Sequence, residues 1–358
     1  MAAYQFNGTL TNTMTPMTRA SESEDRHGSQ RNGRSMDLLE LFERANLTTD
    51  LRAVEELLIA RSQSRSSLIT EAGVHTVRSG GKRLRAAMAL LAAQLGTYQL
   101  SHVIHAAASA ELIHAASLVH DDLVDQAARR RGRVTVHARW DNDVALMVGD
   151  YFFALASAEM SLSPDPRIIT FYAQAVQVIV EGELSPVMVA EPTETALRQY
   201  FYKTGAKTAV LFEAACKAGM AAGGGDEAQI AALAGYGFDV GVAFQIVDDV
   251  LDFIGNEATL GKPAGNDLRQ GTITLPLIYA LQATGSPRLR AVVEQNLSDD
   301  ATIEAAIGEV LAAGGATAAI DEARRYVDQA INHLNIFPDT PARRTLITLA
   351  QFVLEREA

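Results

Sequence analysis

The stretch that decides the fold is residues 101–125, which read SHVIHAAASAELIHAASLVHDDLVD. Apolar side chains recur along it at three- and four-residue spacing, the period of one face of an α-helix. The same period returns in most of the chain from about residue 36 onward, and alanine, a strong helix former, is abundant throughout. No segment shows the strict alternation of a half-buried strand, so the sequence predicts an all-α protein.

The periodic segments are separated by short breaks rich in Gly, Ser and Pro, such as residues 79–81 and 223–225. Their predicted bounds are Met36–Arg44, Leu51–Ile69, Leu84–Leu95, Ser101–Asp125, Asp143–Met160, Arg167–Val180, Ala196–Gly219, Glu227–Phe253, Leu275–Leu281, Ala301–Ala312, Thr317–Leu334 and Pro341–Arg356. No change of composition marks a domain boundary. We therefore predict one domain over residues 36–358, a bundle of roughly a dozen helices with binding sites between facing helices.

Composition excludes several classes of protein. The 358 residues are 48% hydrophobic, which excludes a disordered chain, and a globular chain of this length can bury a core without disulfides. The single cysteine, Cys216, cannot pair within the chain, excludes a cysteine-based zinc site and fits a reducing cytoplasm. The net charge of -12 disfavours nucleic acid and anionic membranes as partners, so a polyanionic ligand requires a local basic pocket.

Neither the N-terminus nor the apolar segments suggest a membrane protein. Residues 1–35 contain no apolar core of a signal peptide and are rich in polar residues, which predicts a disordered tail. The longest apolar stretch, Ile104–Val119, is interrupted by two histidines and a glutamate, so no run of about eighteen apolar residues occurs. We expect a cytoplasmic protein without a transmembrane segment.

Two matching acidic segments, residues 121–125 (DDLVD) and 248–252 (DDVLD), interrupt otherwise apolar helices. The outer carboxylates of each are four residues apart and so project from one helix face. Three acidic groups within five positions are unfavourable without a compensating cation, and Mg²⁺ prefers oxygen ligands that it shares with phosphates. One copy alone is equally typical of a solvated acidic face, whereas two matched copies favour a metal site.

Basic clusters lie close to these acidic segments. Residues 129–133 (RRRGR) begin four residues after the first segment, and residues 80–85 (GGKRLR) occupy a predicted loop-to-helix junction, where free backbone N–H groups favour phosphate. Lys82 and Arg85 share a helix face, whereas Arg83 points elsewhere. Further cations are Lys203, Lys207 and Lys262. Single basic residues are more often surface charges, but in an acidic chain these clusters indicate two oxyanion pockets, one with metal and one without.

The order of these motifs resembles that of the trans-isoprenyl (polyprenyl) diphosphate synthases, long-chain type. The motifs are GGKRLR (80–85), ELIHAASLVHDDLVDQAARRRG (111–132), GDYFFALA (149–156), KTAVLF (207–212), FQIVDDVLDF (244–253) and GKPAGNDLRQGTITLPLIYAL (261–281). The resemblance extends from about residue 50 to the C-terminal end, where Leu346, Leu349 and Arg356 resemble the family's closing helix. Paired aspartate motifs with both basic motifs at these spacings are specific, whereas a lone DDxxD is weak.

The resemblance implies an orthogonal all-α bundle around a deep central cavity, assembled as a homodimer. It also implies an enzyme, a transferase of prenyl groups that condenses isopentenyl diphosphate head-to-tail onto an allylic diphosphate. The implied product is an all-trans polyprenyl diphosphate, a precursor of isoprenoids such as quinone side chains. The implied cofactor is Mg²⁺, as three ions with substrate bound.

The resemblance also implies the site residues. The metal ligands are Asp121, Asp125 and Asp248, supported by Asp122, Asp249 and Asp252. The isopentenyl diphosphate site comprises Lys82, Arg85, His114 and Arg131. The allylic diphosphate site comprises Arg130, Lys207, Thr208, Gln245 and Lys262. The residues implied in catalysis itself are the six aspartates, Lys207 and Gln245.

Small residues before the first acidic segment bear on the length of the product. Ser117 and Ala116, one helical turn above Asp121, leave open a tunnel that an aromatic ring closes in short-product relatives. We expect a product beyond about fifteen carbons, roughly thirty to fifty in all. The candidate floor residues are Ile113, Phe152 and Phe153, which suit ordinary core packing equally well.

Some positions depart from the family pattern, and other functions remain open. Pro186 stands where Gln is usual, Ala86 replaces a common Pro, and Thr272 replaces a frequent Lys. A terpene cyclase or a head-to-head synthase would not need Lys82 and Arg85 for a second diphosphate. The remaining alternatives are a geranylgeranyl or farnesyl diphosphate synthase, and a non-catalytic subunit of a heteromeric synthase or another helical interaction protein.

Overall fold

Helices make up nearly all the regular structure, as the periodicity predicts. The computed structural model describes residues 38–79, 81–185, 188–255, 264–295 and 297–356. The helices of the N-terminal half are α1 (Leu38–Arg44), α2 (Thr48–Arg61), α3 (Ser67–Arg78), α4 (Leu84–Ala93), α5 (Leu100–Val124), α6 (Val136–Arg139), α7 (Asn142–Met160) and α8 (Arg167–Glu183). Those of the C-terminal half are α9 (Thr193–Thr204), α10 (Val210–Ala222), α11 (Glu227–Ile254), α12 (Asn266–Arg269), α13 (Leu275–Thr284), α14 (Pro287–Glu294), α15 (Asp300–Ala312), α16 (Gly315–His333) and α17 (Pro341–Leu354).

Two predicted helices are interrupted. The segment predicted over 51–69 breaks after Arg61, and α3 begins where the Ser66 hydroxyl accepts a hydrogen bond from the Ile69 N–H. The segment predicted over 196–219 contains a π-helix (Gly205–Ala209) between α9 and α10. The first break coincides with the polar run RSQSRSS at residues 61–67, which the predicted segment spanned. Apolar residues continue on both sides of the π-helix, so periodicity does not reveal that second interruption.

A short antiparallel hairpin also lies outside the prediction. It pairs β1 (Arg129–Arg130) with β2 (Arg133–Val134). The two turn residues, Arg131 and Gly132, have φ angles of 50° and 76°. Two successive positive φ angles are typical of a type I′ turn, which matches the twist of paired strands. The basic loop after α5 therefore has a defined shape.

The helices pack around one continuous hydrophobic core, and two glycines set close approaches within it. A Cβ at Gly219 of α10 would lie 2.1 Å from the carbonyl oxygen of Ala89 in α4. A Cβ at Gly241 of α11 would lie 2.6 Å from the Cα of Ala209 in the π-helix. Only glycine permits backbones this close. The result is the all-α orthogonal bundle expected from the sequence, which confirms the predicted fold class.

Helix α11 is the described helix whose length and apolar composition match a membrane span. In that window 61% of the residues are buried inside the fold, and the helix packs against α10 and α16. Its apolar character is that of a central core helix. The predicted N-terminal tail, residues 1–35, lies outside the described residues.

Candidate active site

One cavity of about 780 Å³ collects most of the residues singled out by the sequence. Helices α5 and α11 both end at it, so that each brings one acidic segment. The acidic segments contribute Asp121, Asp122 and Asp125 from the first and Asp248 from the second to its wall. The structure therefore places the two acidic segments at a common cleft rather than on separate surfaces.

In the first acidic segment the three carboxylates have different surroundings. Burial raises the pKa of Asp121, although Lys207 opposes this shift with its Nζ 3.9 Å from Oδ2. Burial also raises the pKa of Asp122, whose Oδ1 accepts a 2.7 Å hydrogen bond from Nε of Arg130. Asp125 is exposed at the end of α5. Asp122 thus orients Arg130, in keeping with a supporting role.

In the second acidic segment only Asp248 faces the cavity. Asp252, expected on the same helix face, is 2% exposed and does not line the cavity. Its Oδ2 accepts a 2.9 Å hydrogen bond from the Asp267 N–H, and its carbonyl oxygen accepts one from the Gly265 N–H. Asp252 therefore binds Gly265 and Asp267, which follow α11 in the chain, to the C-terminal end of that helix.

Asp249 is buried behind the cavity and orients two other predicted site residues. Its Oδ2 accepts a 2.6 Å hydrogen bond from the Tyr200 hydroxyl, and its Oδ1 accepts a 2.8 Å bond from Nε2 of Gln245. The other end of Gln245 accepts a 2.8 Å bond from the Thr208 hydroxyl. Burial raises the pKa of Asp249 to about 8, although both hydrogen bonds oppose that shift. Tyr200 was not predicted, because a buried tyrosine on a helix gives no signal of its own.

The π-helix carries Lys207 and Thr208 into the cavity wall. π-Helical turns inside α-helices frequently mark functional sites. Nζ of Lys207 lies 2.7 Å from Oε1 of Glu183. Burial works against the charge of Lys207, but Asp121 and Glu183 outweigh it and raise the pKa of the ammonium. Lys207 therefore stays protonated beside the first acidic segment.

The four residues expected to bind isopentenyl diphosphate also line the cavity: Lys82, Arg85, His114 and Arg131. The Arg85 guanidinium lies 4.4 Å from the centre of the Phe212 ring, and its buried Nε has no hydrogen-bond partner among the described residues. A Cβ at Gly81 would lie 2.9 Å from Nη1 of Arg131. Glycine at this position therefore lets the residues before α4 approach the hairpin closely. An unpartnered buried guanidinium nitrogen is costly, and an anion in this pocket would satisfy it.

The charges of this basic pocket act on one another. Burial lowers the pKa of Arg85 to about 10, with Arg131 adding to the shift and Glu111 opposing it. Burial and the arginines around it hold the pKa of His114 well below its ordinary value. His114 is consequently neutral at physiological pH and offers an anion a hydrogen bond rather than a charge.

The C-terminal end of the described chain contributes a further cation. Nη1 of Arg356 lies 2.7 Å from Oδ1 of Asp248, and its guanidinium stacks 4.1 Å from the centre of the Phe244 ring. Arg356 was noted in the sequence only as part of the closing helix. Its contact with a metal-ligand candidate follows from the packing of the C-terminal helix and could not be read from spacing.

Gly80, Pro186 and Lys262 are among the positions noted in the sequence that fall outside the described residues. The predicted phosphate contact of Lys262 and the effect of Pro186 on α8 therefore remain predictions. Thr272 is described, is exposed, and donates its N–H to the Asp267 carbonyl oxygen at 2.8 Å. It does not line the cavity.

The carboxylates at the cavity suit a divalent ion that also takes oxygens from a substrate. Among the described residues, no three or more His, Cys, Asp and Glu side chains form a preformed metal cage. Mg²⁺ is usually bound through one or two carboxylates, water and substrate phosphates rather than by an all-protein cage. Asp121 and Asp248 each have a cationic side chain nearby, which marks both as sites of negative charge. The donor set therefore fits Mg²⁺ bridging to a diphosphate.

One helical turn above Asp121, the side chains of α5 are small. Ser117 lines the cavity, whereas Ala116 is buried in the core. The candidate floor residues Ile113 and Phe152 are fully buried and do not line the cavity. Phe153 contacts the His120 ring, with ring centres 5.9 Å apart. Of these residues, Ser117 is therefore the one that lines the cavity.

Comparisons with known proteins agree with this geometry. Residues 66–310 match the sequence profile of the polyprenyl synthetases. This chain belongs to the polyprenyl synthetase family. It is 39% identical over 316 residues to heptaprenyl diphosphate synthase component 2 of Geobacillus stearothermophilus, covering 87% of this chain and 97% of that protein. Members of the family with such names are prenyltransferases, so the protein is an enzyme of prenyl transfer.

Solved structures of the family share the fold. A polyprenyl synthase from Caulobacter crescentus, complexed with calcium and isoprenyl diphosphate, has a TM-score of 0.84 and 35% identity, over 91% of this chain and 99% of that one. A decaprenyl diphosphate synthase from Rhodobacter capsulatus has a TM-score of 0.82 and 36% identity, over 90% of this chain and 100% of that one. The family resemblance predicted from the motifs is thereby confirmed.

Proposed function

We propose that this polyprenyl synthetase condenses isopentenyl diphosphate head-to-tail onto an allylic diphosphate, with Mg²⁺ as cofactor. The observation that carries the proposal is the common cavity, where two acidic segments and a separate basic pocket meet. Two differently charged subsites suit two diphosphates, of which one shares metal and the other does not. A terpene cyclase has a single diphosphate and leaves the basic pocket without use.

The subsite at the acidic segments binds the allylic diphosphate. Lys207 and Thr208 hold its oxygens, Gln245 fixes the Thr208 hydroxyl, and Arg130, steered by Asp122, approaches from the hairpin. We expect Lys262 to join them. Asp121, Asp125 and Asp248 would hold Mg²⁺, three ions with substrate bound, which supplies charge neutralisation of the departing diphosphate. The calcium in the Caulobacter crescentus structure supports a divalent ion in this role.

Breaking the allylic C–O bond gives a carbocation and a diphosphate of roughly three negative charges. Lys207 stays protonated and stabilises this charge as it develops. The double bond of isopentenyl diphosphate, held by Lys82, Arg85, His114 and Arg131, then attacks the cation and a proton is lost. Among the described residues that line the cavity we identify no dedicated general base, and the released diphosphate is the proton acceptor that we propose. Leu118, Ile179 and Leu211 in the wall exclude water.

We propose a long-chain, all-trans product that supplies isoprenoid or quinone side chains. The small side chain of Ser117 leaves room one helical turn above Asp121, and the heptaprenyl and decaprenyl synthases among the relatives support this length. A geranylgeranyl or farnesyl product is the alternative. We place the enzyme in the cytoplasm as a homodimer, its single domain spanning residues 36–358.

Incubation of the purified protein with farnesyl diphosphate, labelled isopentenyl diphosphate and Mg²⁺ tests the proposal, with chromatography of the extracted products. We expect labelled polyprenyl products that disappear when EDTA is added. Absence of any product would overturn the proposal for the chain acting alone. Because the Geobacillus stearothermophilus relative is named as one component of its enzyme, activity restored only by a second polypeptide would indicate a heteromeric synthase.

A further inference from the structure

Glu111 is a buried carboxylate in the cavity wall that none of the steps above uses. It lies on α5, ten residues before Asp121, and is only 4% exposed. Its Oε1 accepts a 3.1 Å hydrogen bond from the Ala86 N–H, in the first turn of α4. Its Oε2 accepts a 3.4 Å hydrogen bond from Nη1 of Arg83. The Glu111 carboxylate on α5 therefore holds both Arg83, the residue before α4, and Ala86, in the first turn of α4.

Arg83 extends this anchor to two more helices. Its Nη2 donates a 2.7 Å hydrogen bond to the carbonyl oxygen of Val77 in α3, and its Nε donates one to Glu55 in α2 at 3.3 Å. The residue has a φ of 48°, a left-handed conformation that a non-glycine residue adopts only when its surroundings require it. The guanidinium of Arg83 is therefore part of the scaffold, although the same residue sits in the middle of the basic motif.

Lys82 and Arg85 are the neighbours that this anchor affects. Both line the cavity and lie against aromatic rings, Lys82 with Nζ 5.7 Å from the centre of Phe352 and Arg85 against Phe212. Lys82 directly precedes Arg83 in the chain and Arg85 directly precedes Ala86. The backbone at Arg83 and Ala86 therefore sets where both cationic side chains leave the main chain.

Charge adds to the geometric role. Arg131 repels both Arg83 and Arg85 in the absence of an anion. Glu111 opposes this repulsion at Arg85 and, together with Asp248, at Arg131. It acts from within the wall, where its two oxygens are already committed to Ala86 and Arg83.

We propose that Glu111 is a positioning residue for the metal-independent diphosphate pocket, holding Lys82 and Arg85 in place through Arg83 and the Ala86 amide. The proposal rests on the proposed function, in which this pocket takes isopentenyl diphosphate. Glu111 does not contact the reacting atoms. Its loss should therefore weaken binding of one substrate and leave the chemical step and the other substrate nearly unchanged.

The variant Glu111→Gln tests the proposal. A glutamine accepts one of the two hydrogen bonds but presents its NH₂ group to the other donor, and it carries no charge. We expect KM for isopentenyl diphosphate to rise at least about tenfold, the scale of one lost charge-assisted hydrogen bond. We expect KM for the allylic diphosphate and kcat to stay within about threefold of the parent enzyme. Glu55→Gln is the matched control, since Glu55 also binds Arg83 but is half-exposed. This variant should change neither KM for isopentenyl diphosphate nor kcat.

Direct binding keeps the test independent of turnover. Calorimetric titration of isopentenyl diphosphate into each protein in EDTA should show weakened binding for Glu111→Gln and a smaller loss for Arg83→Lys, which keeps one donor to Glu111. Thermal unfolding of the same samples identifies a variant that fails to fold, in which case Arg83→Lys decides. Unchanged affinity for isopentenyl diphosphate, or an equal loss for both substrates, would overturn the proposal. Failure of the parent enzyme to form any product would instead count against the proposed function.

Discussion

At the residue scale, the cavity depends on side chains whose partners lie far away in sequence. The hydrogen bond from Tyr200 to Asp249 spans 49 positions, and that from Thr208 to Gln245 spans 37. In this arrangement Asp249 is an acceptor that fixes neighbouring groups rather than a carboxylate presented to the cavity. Residues with the same motif assignment therefore have different physical roles.

Replacing Tyr200 by Phe tests this role of Asp249. The buried carboxylate loses one donor, so we expect the free energy of unfolding to fall by about 1–3 kcal/mol, and kcat to fall several-fold as Gln245 and Thr208 lose their fixed position. Urea unfolding and steady-state kinetics measure the two effects. Tyr98→Phe is the control: its hydroxyl donates to Asp50 away from the cavity, so stability should fall without a change in kcat. A Tyr200→Phe enzyme with full kcat would contradict the assignment.

The neutral state of His114 gives a second prediction at this scale. Since the imidazole binds as a hydrogen-bond donor, His114→Gln should keep KM for isopentenyl diphosphate within about threefold, whereas His114→Ala should raise it about tenfold. A large loss in both variants would show that a positive charge is required.

The same histidine affects stability at acid pH. Its pKa is lowered on folding, so the folded protein binds a proton less readily than the unfolded chain. The resulting stability is present above the ordinary pKa of about 6.5 and is lost as the pH falls. Urea unfolding of His114→Gln should accordingly show a smaller loss of stability between about pH 6.5 and pH 5 than the parent protein.

At the scale of elements, two features that set the site are irregular. The π-helix presents Lys207 and Thr208, and the hairpin with its two left-handed residues presents Arg131. Neither has the periodicity by which helices and strands are recognised, since both depend on backbone conformation within a few residues. The close pairing of the regular helices α4 and α10 also sets the site, because it places Arg85 of the basic motif against Phe212.

Gly219→Ala tests that pairing. The new Cβ would meet the Ala89 carbonyl oxygen at 2.1 Å, so the two helices must move apart, and we expect a loss of about 1–3 kcal/mol of stability. Gly308→Ala in α15 is the matched control, since no atom lies within 4 Å of its Cβ. There the better helix propensity of alanine should stabilise the protein by about 0.5–1 kcal/mol. Thermal unfolding measures the stability of both variants. A Gly219→Ala protein as stable as the parent would show that α4 and α10 can accommodate the extra methyl group.

At the scale of the whole molecule, the cavity wall includes residues of α5 from Glu111 to Asp125. The proposed growth of the product along this face makes the space beside α5 the feature that limits product length. Ser117 is a small side chain in the wall, and the apolar residues beside it, Leu118 and Ile179, suit a hydrocarbon chain.

Ser117→Phe is therefore expected to shorten the product, because an aromatic ring at this position fills the cavity one helical turn above Asp121. Chromatography of the extracted products measures the shift in chain length. Ser117→Ala is the control and should leave the distribution as it is, since it removes only the hydroxyl. A Ser117→Phe enzyme that makes products of parental length would show that another part of the wall limits growth.

The sequence by itself determined the all-α class, the family and the identity of the charged residues. Apolar periodicity and motif spacing are local properties, and local spacing is enough to fix helix faces. It could not show that Asp248 reaches the cavity while Asp252 turns inward, since both lie on the same predicted face.

Only the tertiary structure decided which charges meet. Glu111 looks like an interruption of an apolar stretch in the sequence, and Arg83 like one more cation of a basic motif. Their contact joins residues 28 positions apart. Contacts of this kind depend on how whole helices pack. Helix packing depends on the close approach of backbones across the core, which no single segment of the sequence determines.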